Sequence, residues 1–286
     1  MILSVVIPSY RRSLDLARCL GALSAQDRLA DQVLVVVRTA DEDTLRVAAA
    51  WQERLPLKII EVTAPGQVHA LNAGLARCTG EVVAITDDDA APRPDWLVRI
   101  EAYFEADKRI GGVGGRDWVH HNGMIEAGAE RIVGKVRWFG RFAGNHHLGV
   151  GPAREVDSLK GANLAFRISA IRPIGFDTRL RGSGAQANND MIASLAVKRA
   201  GWRLIYDPEV AVDHYPAPRF DRDGRGNFDP LAAADRAYNY RLALQQISPA
   251  WRRWAAILWF HIVGTSDEPG VLRPLARRVV SVAVDS

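Results

Sequence analysis

Residues 82–86, Val-Val-Ala-Ile-Thr, are apolar or β-branched and run directly into three carboxylates, Asp87, Asp88 and Asp89. So short a run without polar alternation predicts a strand buried on both faces, as in a parallel sheet covered by helices on each side. Three comparable runs precede it, at 2–7, 32–37 and 58–62. The segments between them, 13–24, 42–54 and 67–76, read as helices. In the first, Leu16, Leu20 and Leu23 share one face behind Ser13 as the expected N-cap. Regular β–α alternation with short loops predicts an α/β fold built on a doubly wound, mainly parallel sheet. Ligands of such sheets gather at the carboxyl ends of the strands, so the loops after the first, second and fourth strands should share one crevice.

Three adjacent acids at a strand end repel one another and lose hydration. A hard divalent cation carrying phosphate oxygens would hold them together. A solvated acidic turn, or an Asp cap for the next helix, is the alternative from these residues alone.

Farther along, a helix is expected at 94–106 and a glycine-rich strand at 110–116. The stretch 118–154 is loop-rich, with two histidine pairs and aromatics among basic residues. It reads as a subdomain lining the site. A helix opens at Asn188-Asn189-Asp190 and stops before Gly201, a residue suited to the position just past a helix end. Strands at 202–206 and 210–214 follow, the second ending in Asp213-His214. A polar loop at 219–229 could close over a ligand, and a helix spans 232–246.

At 286 residues the chain can bury a substantial core. Its net charge of +4 is too small a bias to indicate a nucleic-acid partner, and none is expected. Cys19 and Cys78 lie in predicted helices among apolar neighbours and read as buried thiols rather than a disulfide framework. The N-terminal segment lacks a basic region and a cleavage signal, and no apolar run approaches the ~18 residues of a membrane span. A cytoplasmic protein, either soluble or peripheral at the inner face of the membrane, is the expectation. The bilayer reading comes from residues 251–262, where Trp251, Trp254, Leu258 and Trp259 form a helical stripe beside Arg252 and Arg253. Packing on the rest of the chain or a homodimer contact would use the same stripe.

Five segments, in this order, resemble the inverting family 2 glycosyltransferases of GT-A fold over about residues 1–215. Pro8, Ser9, Tyr10 and Arg11 resemble the first nucleotide-binding loop. Residues 66–70 with Asn72 and Gly74 resemble the helix before the acidic strand, and Asp87-Asp88-Asp89 the Asp-x-Asp motif. Residues 161–167, beginning Gly161-Ala162-Asn163, resemble the acceptor-side segment. Asn189-Asp190 stands where the family has Glu-Asp, whose Asp is the catalytic base. The resemblance implies Asp89 and His214 as metal ligands, Mn²⁺ or Mg²⁺ as cofactor, and Asp87 and Asp88 beside the donor. It also implies Asp190 as base and Gly161, Ala162, Asn163 and Asn189 on the acceptor side. The donor would be a nucleotide-diphospho-sugar, UDP first with dTDP or GDP as alternatives. The acceptor would be a glycan, a lipid-linked sugar or a small molecule.

The chain departs from the family in two places. Arg38 stands where an acid usually reads the nucleobase, and Leu71 where an Arg is common. Arg11, Arg38 or Arg219 could restore the lost positive charge. Residues 1–116 would form the donor half, 117–215 the acceptor and catalytic half, and 216–286 a loop with C-terminal helices. A nucleotidyltransferase, or a non-catalytic nucleotide- or carbohydrate-binding protein of the same fold, is the competing reading.

Overall fold

The computed structural model describes residues 1–272 except 122, 140, 225–228 and 266. The first half runs β1 (Leu3–Ser9), α1 (Ser13–Ser24), β2 (Gln32–Arg38), α2 (Glu42–Ala50), β3 (Leu57–Val62), α3 (Gln67–Arg77), β4 (Val82–Ile85), β5 (Ala90–Pro92), α4 (Trp96–Ala106) and β6 (Ile110–His121). Three short strands follow, β7 (Met124–Ile125), β8 (Lys135–Val136) and β9 (Phe142–Ala143), then β10 (Arg154–Glu155). The remainder is β11 (Leu164–Arg167), α5 (Ile168–Ile171), α6 (Asn189–Arg199), β12 (Arg203–His214), α7 (Pro230–Gln245) and α8 (Ala250–Ile262).

The main sheet has the order β10-β12-β6-β11-β4-β1-β2-β3, with β5 on β12 and β7 on β6. Strands β4, β1, β2 and β3 are mutually parallel, and β6 is parallel to β12. Only β11 runs antiparallel between β4 and β6, so β6 and β12 point the same way as β4. The carboxyl ends of β1, β2, β4 and β12 therefore open on one edge. The strand order reverses between β1 and β4, which is where such sheets form a crevice.

Two cores sandwich this sheet, and the period-2 alternation of strand side chains divides the residues between them. Val5, Ile7, Val33, Val35, Val82 and Ala84 pack against α1 and α4. Val6, Leu34, Val36, Val83 and Ile85 face α3, α6 and α7. Burial on both faces explains why these strands show no polar alternation. Cys19 and Cys78 are free, buried thiols within these cores.

Several boundaries differ from the sequence reading for local reasons. Ser13 begins α1 but does not cap it: Arg12 is the N-cap residue, without a side-chain cap bond. The cap of α2 is Asp41, whose carboxylate accepts from the Thr44 N–H. The two strands expected at 202–206 and 210–214 are one strand, β12, with a register irregularity between Asp207 and Val212. There β12 lies so close to β6 that a Cβ on Gly115 would fall 1.7 Å from the Val210 carbonyl oxygen. Gly201, at φ 95°, does follow the end of α6. The 219–229 loop and the 216–286 segment lie partly outside the described residues.

Candidate active site

The crevice at the β1/β4 reversal holds about 780 Å³ including its open mouth. Pro8 and Ser9 at the end of β1, Tyr10 and Arg12 after it, Arg38 at the end of β2 and Ala64 after β3 line it. Gln67 on α3, the three acids after β4, and Arg219, Asp221 and Asp223 also line it. The loop after β3 thus joins the three that the alternation pattern anticipated.

Asp88 and Asp89 are each only 3% exposed, whereas Asp87 is partly open to the crevice. Burial pushes Asp88 up to about 7 despite Arg12, whose guanidinium Nη1 donates to Asp88 Oδ1 at 2.8 Å. Ser9 Oγ donates to the other Asp88 oxygen at 2.8 Å. Burial and then the neighbouring Asp89 raise Asp87 above the ordinary carboxylate range. Burial would raise Asp89 too, but His214 and the Ala217 N–H, 3.0 Å away, outweigh it and hold Asp89 at about 2.

His214, ending β12, lies between two carboxylates. Its Nε2 is 3.3 Å from Asp89 Oδ1 and its Nδ1 is 3.3 Å from Asp117 Oδ2. Burial alone would lower its pKa, yet the Asp117 and Asp89 contacts raise it to about 9. Asp117, fully buried on β6, is held at about 2 because His214 and Lys160 outweigh desolvation. Lys160 is in close hydrogen-bonded contact with Asp117. In this state the imidazolium and Arg12 supply the positive charge that the buried acids require.

A second carboxylate centre lies at the start of α6. Asp190 Oδ2 accepts from the Gly161 N–H at 2.9 Å, and its Oδ1 from the Met191 N–H at 2.8 Å. Thr86 Oγ1 donates to the Ala162 carbonyl at 3.0 Å, tying the Gly161–Ala162 turn to the end of β4. The two carboxylate centres are connected by hydrogen bonds. Asn189 Nδ2 donates to Gln67 Oε1 at 3.3 Å, and Gln67 Nε2 donates to Asp87 Oδ1 at 3.0 Å. The N-termini of α3 and α6 are pinned together by Gln186, which accepts from the Val68 N–H at 2.9 Å. Gly66, at φ 102°, is required there, because a Cβ would fall 2.5 Å from Gln186 Oε1.

Some anticipated residues are placed elsewhere. Arg11 does not line the crevice: its backbone N–H binds Asp41, and its neighbour Arg12 points at the acids. The chain takes a left-handed step at Arg11, φ 57°, which is why the register of the two arginines cannot be read from order alone. Asn72 also stays outside the lining and braces the backbone of Phe176 through two hydrogen bonds. Asn163 is 1% exposed and consumed by structure, accepting from Trp96 Nε1 and donating to the carbonyls of Arg116 and Val210. The acids that follow β2, Asp41, Glu42 and Asp43, stay outside the crevice lining. Arg38 does line it, lying 3.7 Å over the Tyr10 ring and pairing with Asp221 through two bonds. Arg12, Gln67, Asp117 and Lys160 were not anticipated. No spacing rule ties a residue at 117 to one at 214.

Residues 2–225 match the family model described as glycosyltransferase like family 2. Over 156 residues the chain is 29% identical to the glucosyl-dolichyl phosphate glucuronosyltransferase of Haloferax volcanii, covering 52% of this chain and 47% of that one. The chain spans less than half the length of curated relatives it matches. Its fold matches the mannosyltransferase PcManGT of Pyrobaculum calidifontis, solved with GDP-Man and Mn²⁺ (TM-score 0.65, 21% identity, covering 99% of this chain and 75% of that one). It also matches residues 1–349 of S. aureus TarS, solved with UDP-GlcNAc (TM-score 0.66, 15% identity, covering 91% and 72%). The sheet is thus of the GT-A type, and the chain belongs to the family 2 glycosyltransferases.

Proposed function

We propose that this chain transfers a glycosyl unit from a nucleoside-diphospho-sugar to a hydroxyl of a glycan, lipid-linked or small-molecule acceptor, with inversion and with help from a divalent cation. One observation carries the reading. A buried acidic cluster and a separate carboxylate at a helix start are held in a fixed relation by the Asp87–Gln67–Asn189 hydrogen-bond chain. Family membership supports the reaction class, and the ligands of the two structural neighbours support a nucleotide sugar as donor. UDP is the first candidate, with dTDP or GDP as alternatives.

The donor set for a cation is Asp89 and His214, with Asp87 beside the sugar donor and able to reach the ion through water. It fits on chemistry: a hard carboxylate with an imidazole suits Mn²⁺, with Mg²⁺ as alternative. The Nε2 of His214 is buried, faces Asp89, and has no partner of good hydrogen-bond geometry. Among the described residues no three such groups are yet gathered at coordinating distance, and His214 would have to release its proton first. When bound, the ion would offset the charge growing on the leaving diphosphate.

The rest of the chemistry belongs to the chain's own side chains. Asp190 accepts the proton of the acceptor hydroxyl as its oxygen forms the bond to the anomeric carbon. The bond from that carbon to the phosphate oxygen breaks, and its electron pair leaves on the diphosphate. The Gly161 and Met191 N–H groups fix the carboxylate's orientation while leaving lone pairs free. Arg12 and Arg219 add positive charge along the diphosphate path. A single in-line displacement with one base inverts the anomeric centre.

Asp190→Asn tests this reading. The amide keeps the shape and can still accept from the Gly161 N–H, but it cannot take a proton. Transfer or donor hydrolysis should fall by about 10²–10⁴-fold, with nucleotide-induced thermal stabilisation retained. Turnover within a few-fold of wild type would remove Asp190 as base.

A further inference from the structure

Helix α8 presents its apolar side to water. Trp251, Trp254 and Leu258 recur at helical spacing and are 60%, 65% and 61% exposed. Arg252 and Arg253 are turned partly inward, and Arg252 Nη2 donates to the Val136 carbonyl at 2.6 Å. Ala256 and Phe260 alone are fully buried under the helix. This inverts the usual surface helix, whose apolar stripe faces the core.

The hairpin of β8 and β9 continues the same face. At its turn Trp138 is 67% exposed and packs edge-on against Phe139, ring centres 5.4 Å apart. Phe139 in turn lies 6.0 Å from the Trp259 ring. The two contributing stretches, 131–154 and 236–266, contain no Asp or Glu. Arg137 and Arg141 flank Trp138 in the sequence and are exposed, and among the described residues no carboxylate pairs with either or with Arg253.

Tryptophan and leucine beside unpaired arginines match the chemistry of a bilayer interface, where indole rings sit at headgroup depth and basic groups meet anionic lipid. At 13 residues α8 is too short to span, and among the described residues no helix is long and apolar enough to cross a membrane. It would lie in the plane of the interface. A second copy fits this face less well. A two-fold contact sets a patch against itself, and since the two stretches themselves carry no acid, their exposed arginines would then oppose one another.

We propose that α8 and the 135–143 hairpin dock this protein peripherally on an anionic lipid bilayer, with Trp138, Trp251, Trp254 and Leu258 in the interface and Arg137 and Arg141 among the headgroups. Co-flotation with phosphatidylcholine vesicles, with and without phosphatidylglycerol, tests it without sugar donor, so its outcome is independent of the transferase reading. Wild type should float with the phosphatidylglycerol vesicles at least about tenfold more tightly than with neutral ones, and lose binding at high salt. Trp251→Ser with Trp254→Ser should weaken binding at least about tenfold. Arg137→Glu with Arg141→Glu should abolish the preference for anionic lipid. All four side chains are exposed, so melting temperatures should hold. If the tryptophan pair impairs folding, the arginine pair carries the test. No flotation at low salt, or flotation indifferent to both pairs, overturns the proposal. So does a dimer, seen by light scattering, that Trp254→Ser converts to monomer.

Discussion

Placing His214 between Asp89 and Asp117 makes the stability of the metal-free protein depend on pH in a defined window. The folded-state pKa is about 9, against an ordinary 6.5. A base whose pKa is raised by folding binds more protons when folded, so its contribution is complete below pH 6.5 and is lost as pH climbs through about 9. Each pH unit between the two values corresponds to about 1.4 kcal/mol, which sets a ceiling of about 3 kcal/mol. The figure belongs to the Asp89–His214–Asp117 cluster jointly and is not added to contributions from its acids. Asp88, kept neutral up to about 7 by burial, also titrates in the lower part of this window. The informative quantity is therefore the difference between wild type and variants. Urea unfolding in EDTA, near pH 6 and near pH 9.5, should show wild type losing about 2–3 kcal/mol more than His214→Gln across the interval. His214→Lys keeps a cation throughout, since the lysine reference pKa is about 10.4, and should flatten the same interval while restoring much of the stability that glutamine loses. Equal pH slopes for wild type and both variants would refute the imidazolium bridge.

Two further predictions concern residues whose structural roles differ from those anticipated. Asn163→Leu strands the Trp96 indole N–H and two buried carbonyls. It should cost about 3–5 kcal/mol in chemical denaturation, and a loss below ~1 kcal/mol would show that Asn163 is free for other work. The Arg38–Asp221 pair is bidentate and each side chain is less than one-fifth exposed. A double-mutant cycle with Arg38→Met and Asp221→Asn should give a coupling of about 1–2 kcal/mol, and additive losses would mean that the contact contributes nothing.

The sequence by itself determined the sheet. Runs such as 33–37 and 82–85 are apolar at every position, and only burial on both faces accommodates that, so a mainly parallel sheet and the acid-tipped end of β4 followed without coordinates, though not the order of its strands. It also determined that Asp87, Asp88 and Asp89 would stand at a strand's carboxyl end, because strand and loop are contiguous. Tertiary structure alone decided the partners. Asp117 and His214 are far apart in the chain and meet because β6 and β12 lie side by side and parallel, while Lys160 arrives on the turn before β11, the other neighbour of β6. The left-handed step at Arg11 leaves to Arg12 the place in the crevice expected of Arg11. Gln67 and Asn189 bridge the two carboxylate centres because Gln186 brings two helix starts together. Periodicity reports which face of an element is buried. What faces that surface across the fold is set by strand order and loop conformation, which no local pattern encodes.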